Sequence, residues 1–505
     1  MATKRRSARM TALELSPEEF RALGHRLVDD VADFLASLPE RPVTPGESPV
    51  QVRAALGDDP LPEHGADPAA LLEEAVRLLC DHSLLNGHPR FFGYITSSPA
   101  PIGALGDLLA AAVNPNCGAW GLSPMATEIE AQSVRWISEL IGYPVEAGGL
   151  LVSGGNVANL VGVAAARQAG APWDVRVRGA ADPRGQHLCV YATSETHTWL
   201  HKATDLLGLG TDCIRWIPPD RRGRADPAAL RRLIDADRTA GDVPLVVVGT
   251  AGTVSTGAID PLDELAEICR QEAVWFHVDA AYGGFAAALP DAPPALRALG
   301  RADSVAVDPH KWLYVPLEAG CALVRDPAAL RGAFSYSPPY YRFTSNSGPH
   351  GPPLNYYAFG PQNSRGHRAL KVWLALRQGG RAGYVRAIAE DILLARALHD
   401  LAIADPELEA WTNSLSITTM RYVPTDVDPR APGAPAYLDR LNEALLDRLQ
   451  AGGEAYLSNA VVGGTFLLRA CVVNFRTTLA DIEALATLVV RLGRELDAEL
   501  RPEAV

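Results

Sequence analysis

A chain of 505 residues, 48% apolar and 21% charged, has the make-up of an ordinary globular protein and is long enough for two or three domains around a large core. Its net charge of −13 argues against a nucleic-acid partner, which a basic surface would have to hold. No stretch reaches the roughly eighteen unbroken apolar residues of a membrane span, and seven scattered cysteines without a CxxC spacing argue against disulfides or zinc and for a reducing cytoplasm.

Residues 1–15 read as a disordered tail, because the basic Lys4, Arg5, Arg6 and Arg9 lead into the acidic LELSPEEF and not into an apolar run. A helix begins at Ser16-Pro17-Glu18-Glu19, which offers a cap, a proline at the first helical position and a glutamate at the third. Phe20, Leu23, Leu27, Val31, Phe34 and Leu38 then form one apolar stripe. The proline- and glycine-rich stretch that follows cannot cover it, so within the helical segment 16–90 this helix needs a more distant surface.

From residue 91 the pattern changes to alternating strands and helices, which predicts a large domain over 91–385 built on a mostly parallel sheet. Phe91 and Phe92 read as core, whereas Tyr94 and Trp120 have polar tips suited to a pocket wall. GLLVSGGNVANL is strand, turn and helix, with Ser153, Gly154, Gly155 and Asn156 presenting backbone N–H groups where an anion is stabilised. LCVYATSETHTW is another strand, followed by His197; His201, one turn later, reads as structural. LVVVGTAGTV carries Thr250 and Thr253 to a strand end, and Asp260-Pro261 reads as the cap of the next helix. Because strand–helix–strand units are right-handed, these strand ends share one rim, beyond which a ligand would lie.

Two further strands deliver the most telling residues to that rim. VWFHVDAAYGG ends in Asp279, with the small Ala280 and Ala281 after it, and SVAVDPHKWL breaks at Asp308-Pro309 and presents His310 and Lys311. A lone lysine is more often a solvated ammonium. An aspartate to pair with a pyridinium nitrogen, a small residue to lie against a ring and a lysine about thirty residues later form the protein half of a pyridoxal phosphate site. After CALVRD, some thirty residues show no period, as a functional or mobile loop would. Helices then lead to strands near 414–423, 455–462 and 465–475 and helices at 437–451 and 479–500, a smaller C-terminal domain over 386–505 with an antiparallel sheet covered on one face.

HVDAAYGG followed by DPHKW resembles the group II amino acid decarboxylases, the aromatic-L-amino-acid decarboxylases above all, and the likeness runs from Ser16 to about Leu500. It implies the aminotransferase-like fold with a seven-stranded sheet, pyridoxal phosphate as cofactor, a small amino acid substrate and an intertwined homodimer with a shared active site. It implies Lys311 as the cofactor-linked lysine, Asp279 at the ring nitrogen and His197 and Ala281 on opposite faces of the ring. Gly154, Gly155, Asn156, Thr253, Asp308 and His310 belong around the cofactor in the same reading. Tyr340, or its neighbour Tyr341, matches the tyrosine that delivers a proton, with His197 and His310 near the carboxylate. Arg365 matches an arginine near the cofactor, or else forms a surface salt bridge. Tyr94, Trp120 and Gly118 match substrate-pocket positions. Two departures stand out: Asp308 replaces an asparagine of the animal enzymes, where a carboxylate repels a phosphate unless paired, and Gly118 replaces a phenylalanine, which implies a wider pocket. An amine-producing decarboxylase is thus expected; an aldehyde-forming enzyme or aminotransferase on the same scaffold, and a cofactor-free protein keeping the fold, are the competing readings.

Overall fold

The structure is a computed structural model that describes residues 13–181, 185–336 and 353–501. Seven strands, β1 (Gly148–Val152), β2 (Leu188–Thr193), β3 (Ile214–Ile217), β4 (Val243–Thr250), β5 (Trp275–Asp279), β6 (Ser304–Val307) and β7 (Gly320–Val324), form one sheet. Their order is β1-β7-β6-β5-β4-β2-β3, and every pairing is parallel except the two made by β7. β1, β2, β6 and β7 are buried along their whole length, which explains why they read as unbroken apolar runs and not as alternating strands. This is the predicted α/β architecture.

The helix Ala369–Ala404 packs its first half on the helices Pro101–Val113 and Pro124–Ile141 and its second half on the C-terminal sheet. It kinks at Gly380, whose φ of 60° is left-handed, and it runs through the boundary expected at residue 385. The second sheet contains β8 (Leu408–Ser414), β9 (Ile417–Tyr422), β10 (Ser458–Val462) and β11 (Thr465–Cys471), antiparallel in the order β10-β11-β9-β8. The helices Ala434–Gly452 and Leu479–Leu500 cover it. β8 had no sequence signal, because LEAWTNS is a half-exposed edge strand with a bulge and no alternation.

At the N-terminus, Ser16 forms the expected capping box with Glu19, starting the helix Pro17–Ser37. Neither this helix nor its neighbours Pro49–Leu56 and Pro68–Asp81 buries a single residue, and Pro17–Ser37 packs chiefly on Pro68–Asp81. Phe20 is 57% exposed. Residues 1–12 of the expected tail lie outside the described residues. Among the described residues no helix is long and apolar enough to cross a membrane, and all seven cysteines are free.

Candidate active site

Since β1, β2, β4, β5 and β6 run the same way, their C-terminal ends open together. There, a cleft of about 290 Å³ is lined by Gly155, Asn156, His197, Asp279, Ala281, Asp308, His310 and Lys311, among others. One surface thus gathers residues from Ile95 to Lys311.

At the end of β1 the chain turns through Gly154, whose φ of 92° suits only glycine, into the helix Gly155–Gly170. A Cβ on Gly155 would lie 2.6 Å from Asp308 Oδ2, so the missing side chain is what leaves the helix N-terminus open. The strand behind this turn is clamped: Glu130 accepts the Leu151 N–H at 2.9 Å, and Arg365 donates to the Leu151 carbonyl at 2.7 Å while forming a two-pronged pair with Glu130. Both side chains of this pair are buried. Arg365 is therefore not a surface salt bridge but a buried brace for the turn.

Asp279 ends β5. Its Oδ2 accepts the Trp199 Nε1–H at 2.6 Å and its Oδ1 accepts the Ala281 N–H at 3.1 Å. Two residues earlier, on the same face of the strand, His277 is wholly buried and edge-on to Trp199. Its partners fix its protonation. Asn159 donates to the Gly155 carbonyl at 2.9 Å, so the Asn159 Oδ1 must accept from His277 Nε2 at 2.7 Å. Ser304, which accepts from Trp275 Nε1, donates to His277 Nδ1 at 2.8 Å. Burial pushes the His277 pKa down to about 4, so the ring is neutral and offers Asp279 no counter-charge. Thus Asp279 is a buried side chain with two neutral donors and, among the described residues, no cation paired to it, an arrangement suited to a cationic partner.

Lys311 stands on a single helical turn, Pro309–Trp312. Trp312 Nε1 and Tyr314 Oη both donate to Asp391 on the long helix, at 2.8 and 2.7 Å, and Trp312 stacks on Tyr282 with centroids 4.8 Å apart. The Lys311 ammonium lies 3.1 Å from Asp308 Oδ2, and His310 Nε2 lies 3.6 Å from the same oxygen. Asp308 is thus paired while the Lys311 amine is free. The Nδ1 atoms of His310 and His197 accept the backbone N–H groups of Ala319 and Trp199, both at 3.2 Å, and burial lowers both pKa values. Each ring is therefore a neutral imidazole with its proton on Nε2.

Several expectations fall elsewhere. Thr253 lies beside the cleft, but its Oγ1 accepts the Ala258 N–H at 3.1 Å and pairs with Thr256, while Thr250, Gly252 and Val254 form the wall. Asp260 does not cap the helix Leu262–Glu272; it receives the N–H groups of Ala225 and Thr250, both at 2.7 Å, and pins the end of β4. Tyr94, Trp120 and Gly118 do not line this chain's cleft, where Ile95 does. Tyr94 is 54% exposed and Trp120 Nε1 donates to Glu128. No cavity replaces a side chain at Gly118, since a Cβ there would lie 2.0 Å from the Asn363 carbonyl oxygen. His201 packs against Trp216, as a structural residue does. Tyr340 and Tyr341 lie outside the described residues.

Other site residues escaped the sequence reading. Trp199 sits two positions after His197, and His277 two before Asp279, where the period of a strand could have flagged it. Arg469 on β11 had no signal. It is fully buried, holds the Tyr94 carbonyl at 3.0 Å and Ser458 at 2.9 Å, and has no carboxylate partner among the described residues; its Nε and Nη2 are unpaired.

The residues fit pyridoxal phosphate. An open helix N-terminus, a buried carboxylate and an amine share the cleft, and the Thr250 hydroxyl and one oxygen of Asp308 are buried there without a hydrogen-bond partner among the described residues. Fold and site together define a pyridoxal phosphate enzyme of the aminotransferase-like fold. The chain belongs to the pyridoxal-dependent decarboxylase family, whose conserved-domain model matches residues 49–419. It is 32% identical to an aromatic-L-amino-acid decarboxylase of Bacillus atrophaeus, over 96% of this chain and 97% of the relative. It is 30% identical to a phenylacetaldehyde synthase of a Rosa hybrid cultivar, over 91% and 90%. The crystal structure of Oryza sativa TDC with PLP and tryptamine superposes with a TM-score of 0.88 at 29% identity, covering 96% of this chain and 100% of that one.

Proposed function

We propose that this enzyme decarboxylates an aromatic L-amino acid to its amine and carbon dioxide, in a reducing cytoplasm to which its free cysteines are suited. The observation that carries the reading is the pairing, within one cleft, of an amine at Lys311 with a carboxylate at Asp279 that has no cation of its own. Bound pyridoxal phosphate supplies the electron sink for the carbon–carbon bond that breaks. Asp279 would pair with the protonated ring nitrogen, Lys311 would hold the cofactor through its amine, and the open N-terminus at Gly154, Gly155 and Asn156 would receive the phosphate. His197 and Ala281 would lie on either side of the ring. Tyr340 delivers the proton that replaces carbon dioxide.

A second copy of the chain completes the site. Leu105, Leu108, Leu109, Val113, Leu122 and Met125 expose an apolar face, and Phe20 and Val31 of the stripe on the helix Pro17–Ser37 are exposed as well, as a surface that meets a partner would be. Tyr94 and Trp120, which do not reach their own chain's cleft, fit a role in the partner's.

The aromatic relatives favour the substrate class, and the aldehyde synthases among them keep a second product in play. The test is to incubate the protein and pyridoxal phosphate with L-tryptophan, L-tyrosine, L-phenylalanine and acidic and basic amino acids, then identify products by mass spectrometry. A primary amine from an aromatic substrate, lost in Lys311→Ala and turned toward aldehyde in Tyr340→Phe, is expected. Aldehyde from the unmodified protein would overturn the decarboxylase reading while leaving the cofactor site intact.

A further inference from the structure

Asp308 stands where the cofactor's two demands meet. Its side chain is buried and lies against the N-terminus of the helix Gly155–Gly170, with Oδ1 lacking any hydrogen-bond partner among the described residues. Oδ2 is the present resting place of the Lys311 ammonium, at 3.1 Å. The other titratable groups that feel it are His310, whose Nε2 is 3.6 Å away, His197 across the cleft and the buried thiol of Cys321 behind it. Of these, only Lys311 brings a positive charge, because each histidine accepts a backbone N–H at Nδ1 and is a neutral ring. Lys311 must leave Asp308 to hold a cofactor, and the phosphate that the same cradle receives is a dianion above its second pKa of about 6. Two anions would then face each other in a buried space with one helix dipole between them, which a low-dielectric site does not tolerate.

We infer that the Asp308–His310 pair takes up one proton when the phosphate enters, so that cofactor loading in this enzyme is proton-linked through a carboxyl. The proton comes from solvent, resides on the pair and is shared with a phosphate oxygen; no bond to carbon is involved. Loading weakens as pH rises, because the proton must be supplied from an ever more dilute source. An asparagine in this position would impose no such link.

The inference rests on the pyridoxal phosphate site, and its test separates the two. The full chain, stripped of cofactor, is titrated calorimetrically at about pH 8 with pyridoxal 5′-phosphate and with pyridoxal, which has the same aldehyde to engage Lys311 but no phosphate. Two buffers of different ionisation enthalpy count the protons, and ring contributions cancel between the ligands. The phosphate ligand is expected to take up about one proton more than pyridoxal, with affinity falling about tenfold per pH unit, and Asp308→Asn to abolish the difference and flatten the dependence. Equal uptake with both ligands, or an unchanged difference in Asp308→Asn, overturns the inference. Should the variant not fold, the two-ligand comparison on the unmodified chain decides alone. Failure of pyridoxal phosphate itself to bind, with no visible absorbance, overturns the cofactor site instead.

Discussion

Replacing Trp199 by phenylalanine keeps a ring edge-on to His277 but removes the Nε1–H that reaches Asp279 Oδ2 at 2.6 Å. Asp279 then retains one protein donor, the Ala281 N–H. A hydrogen bond to a buried charge contributes about 1.5–3 kcal/mol, and here it favours the ionised carboxylate that pairs with a ring cation. Its loss is expected to weaken cofactor binding about ten- to hundredfold, with a parallel fall in decarboxylation rate. Equilibrium dialysis against pyridoxal phosphate, read by cofactor absorbance, avoids the change in tryptophan fluorescence. The decisive comparison is a double-mutant cycle with Asp279→Asn, because two residues that act through one hydrogen bond cannot both lose it independently. In the Asp279→Asn background, Trp199→Phe should cost little. Unchanged affinity in the single variant, or the same loss in both backgrounds, would refute the positioning role and leave Trp199 as packing.

Glu130→Gln should destabilise the chain by about 3–5 kcal/mol in urea unfolding, since Arg365 would stay buried without its anion, and Glu130→Leu combined with Arg365→Met should cost much less than either alone. His277 is held at about 4 against an ordinary 6.5, so its contribution to stability is complete above about 6.5 and falls as pH drops toward 4, by on the order of 3 kcal/mol; His277→Gln should remove that slope from the pH dependence of the urea midpoint. Asp391 titrates the opposite way. Burial lifts it from 3.8 to about 7, so its contribution is complete below 3.8 and is lost as pH rises through 7. Asp391→Asn should therefore gain on the unmodified protein between about pH 5 and pH 8, by up to on the order of 4 kcal/mol, as seen in the same midpoints.

What the sequence makes legible here is what repeats at short range. The capping box at Ser16, the glycine turn at Gly154 and the abrupt strand ends at Asp279 and Asp308 are all local patterns, and each stands where it was expected. The cleft follows from them because parallel strands bring their ends to one rim whatever lies between. Partnerships across the fold leave no such trace. Glu130 is separated from Arg365 by 235 positions, and nothing in either neighbourhood marks the one as the other's counter-ion. Asp260 looked like a helix cap by its neighbour Pro261, yet two distant backbone N–H groups claim it. β8 stayed hidden because an edge strand needs no apolar alternation, and Thr253 missed the cleft because its own turn uses its hydroxyl first.

The clamp on Asp391 has a mechanical side. Trp312 and Tyr314 bolt the lysine's turn to a long rigid strut, and the far end of that strut carries the C-terminal sheet, where Thr418 is tied to the Ala395 carbonyl at 2.6 Å. Tyr282, stacked on Trp312, is itself fastened to Ser416 at 2.7 Å. Any swing of the C-terminal lobe therefore pulls on the residue beside Lys311 along two linkages at once. The reactive amine travels with the smaller lobe's frame, and traffic in and out of the cleft has to be governed by parts of the molecule that are not fastened to this strut.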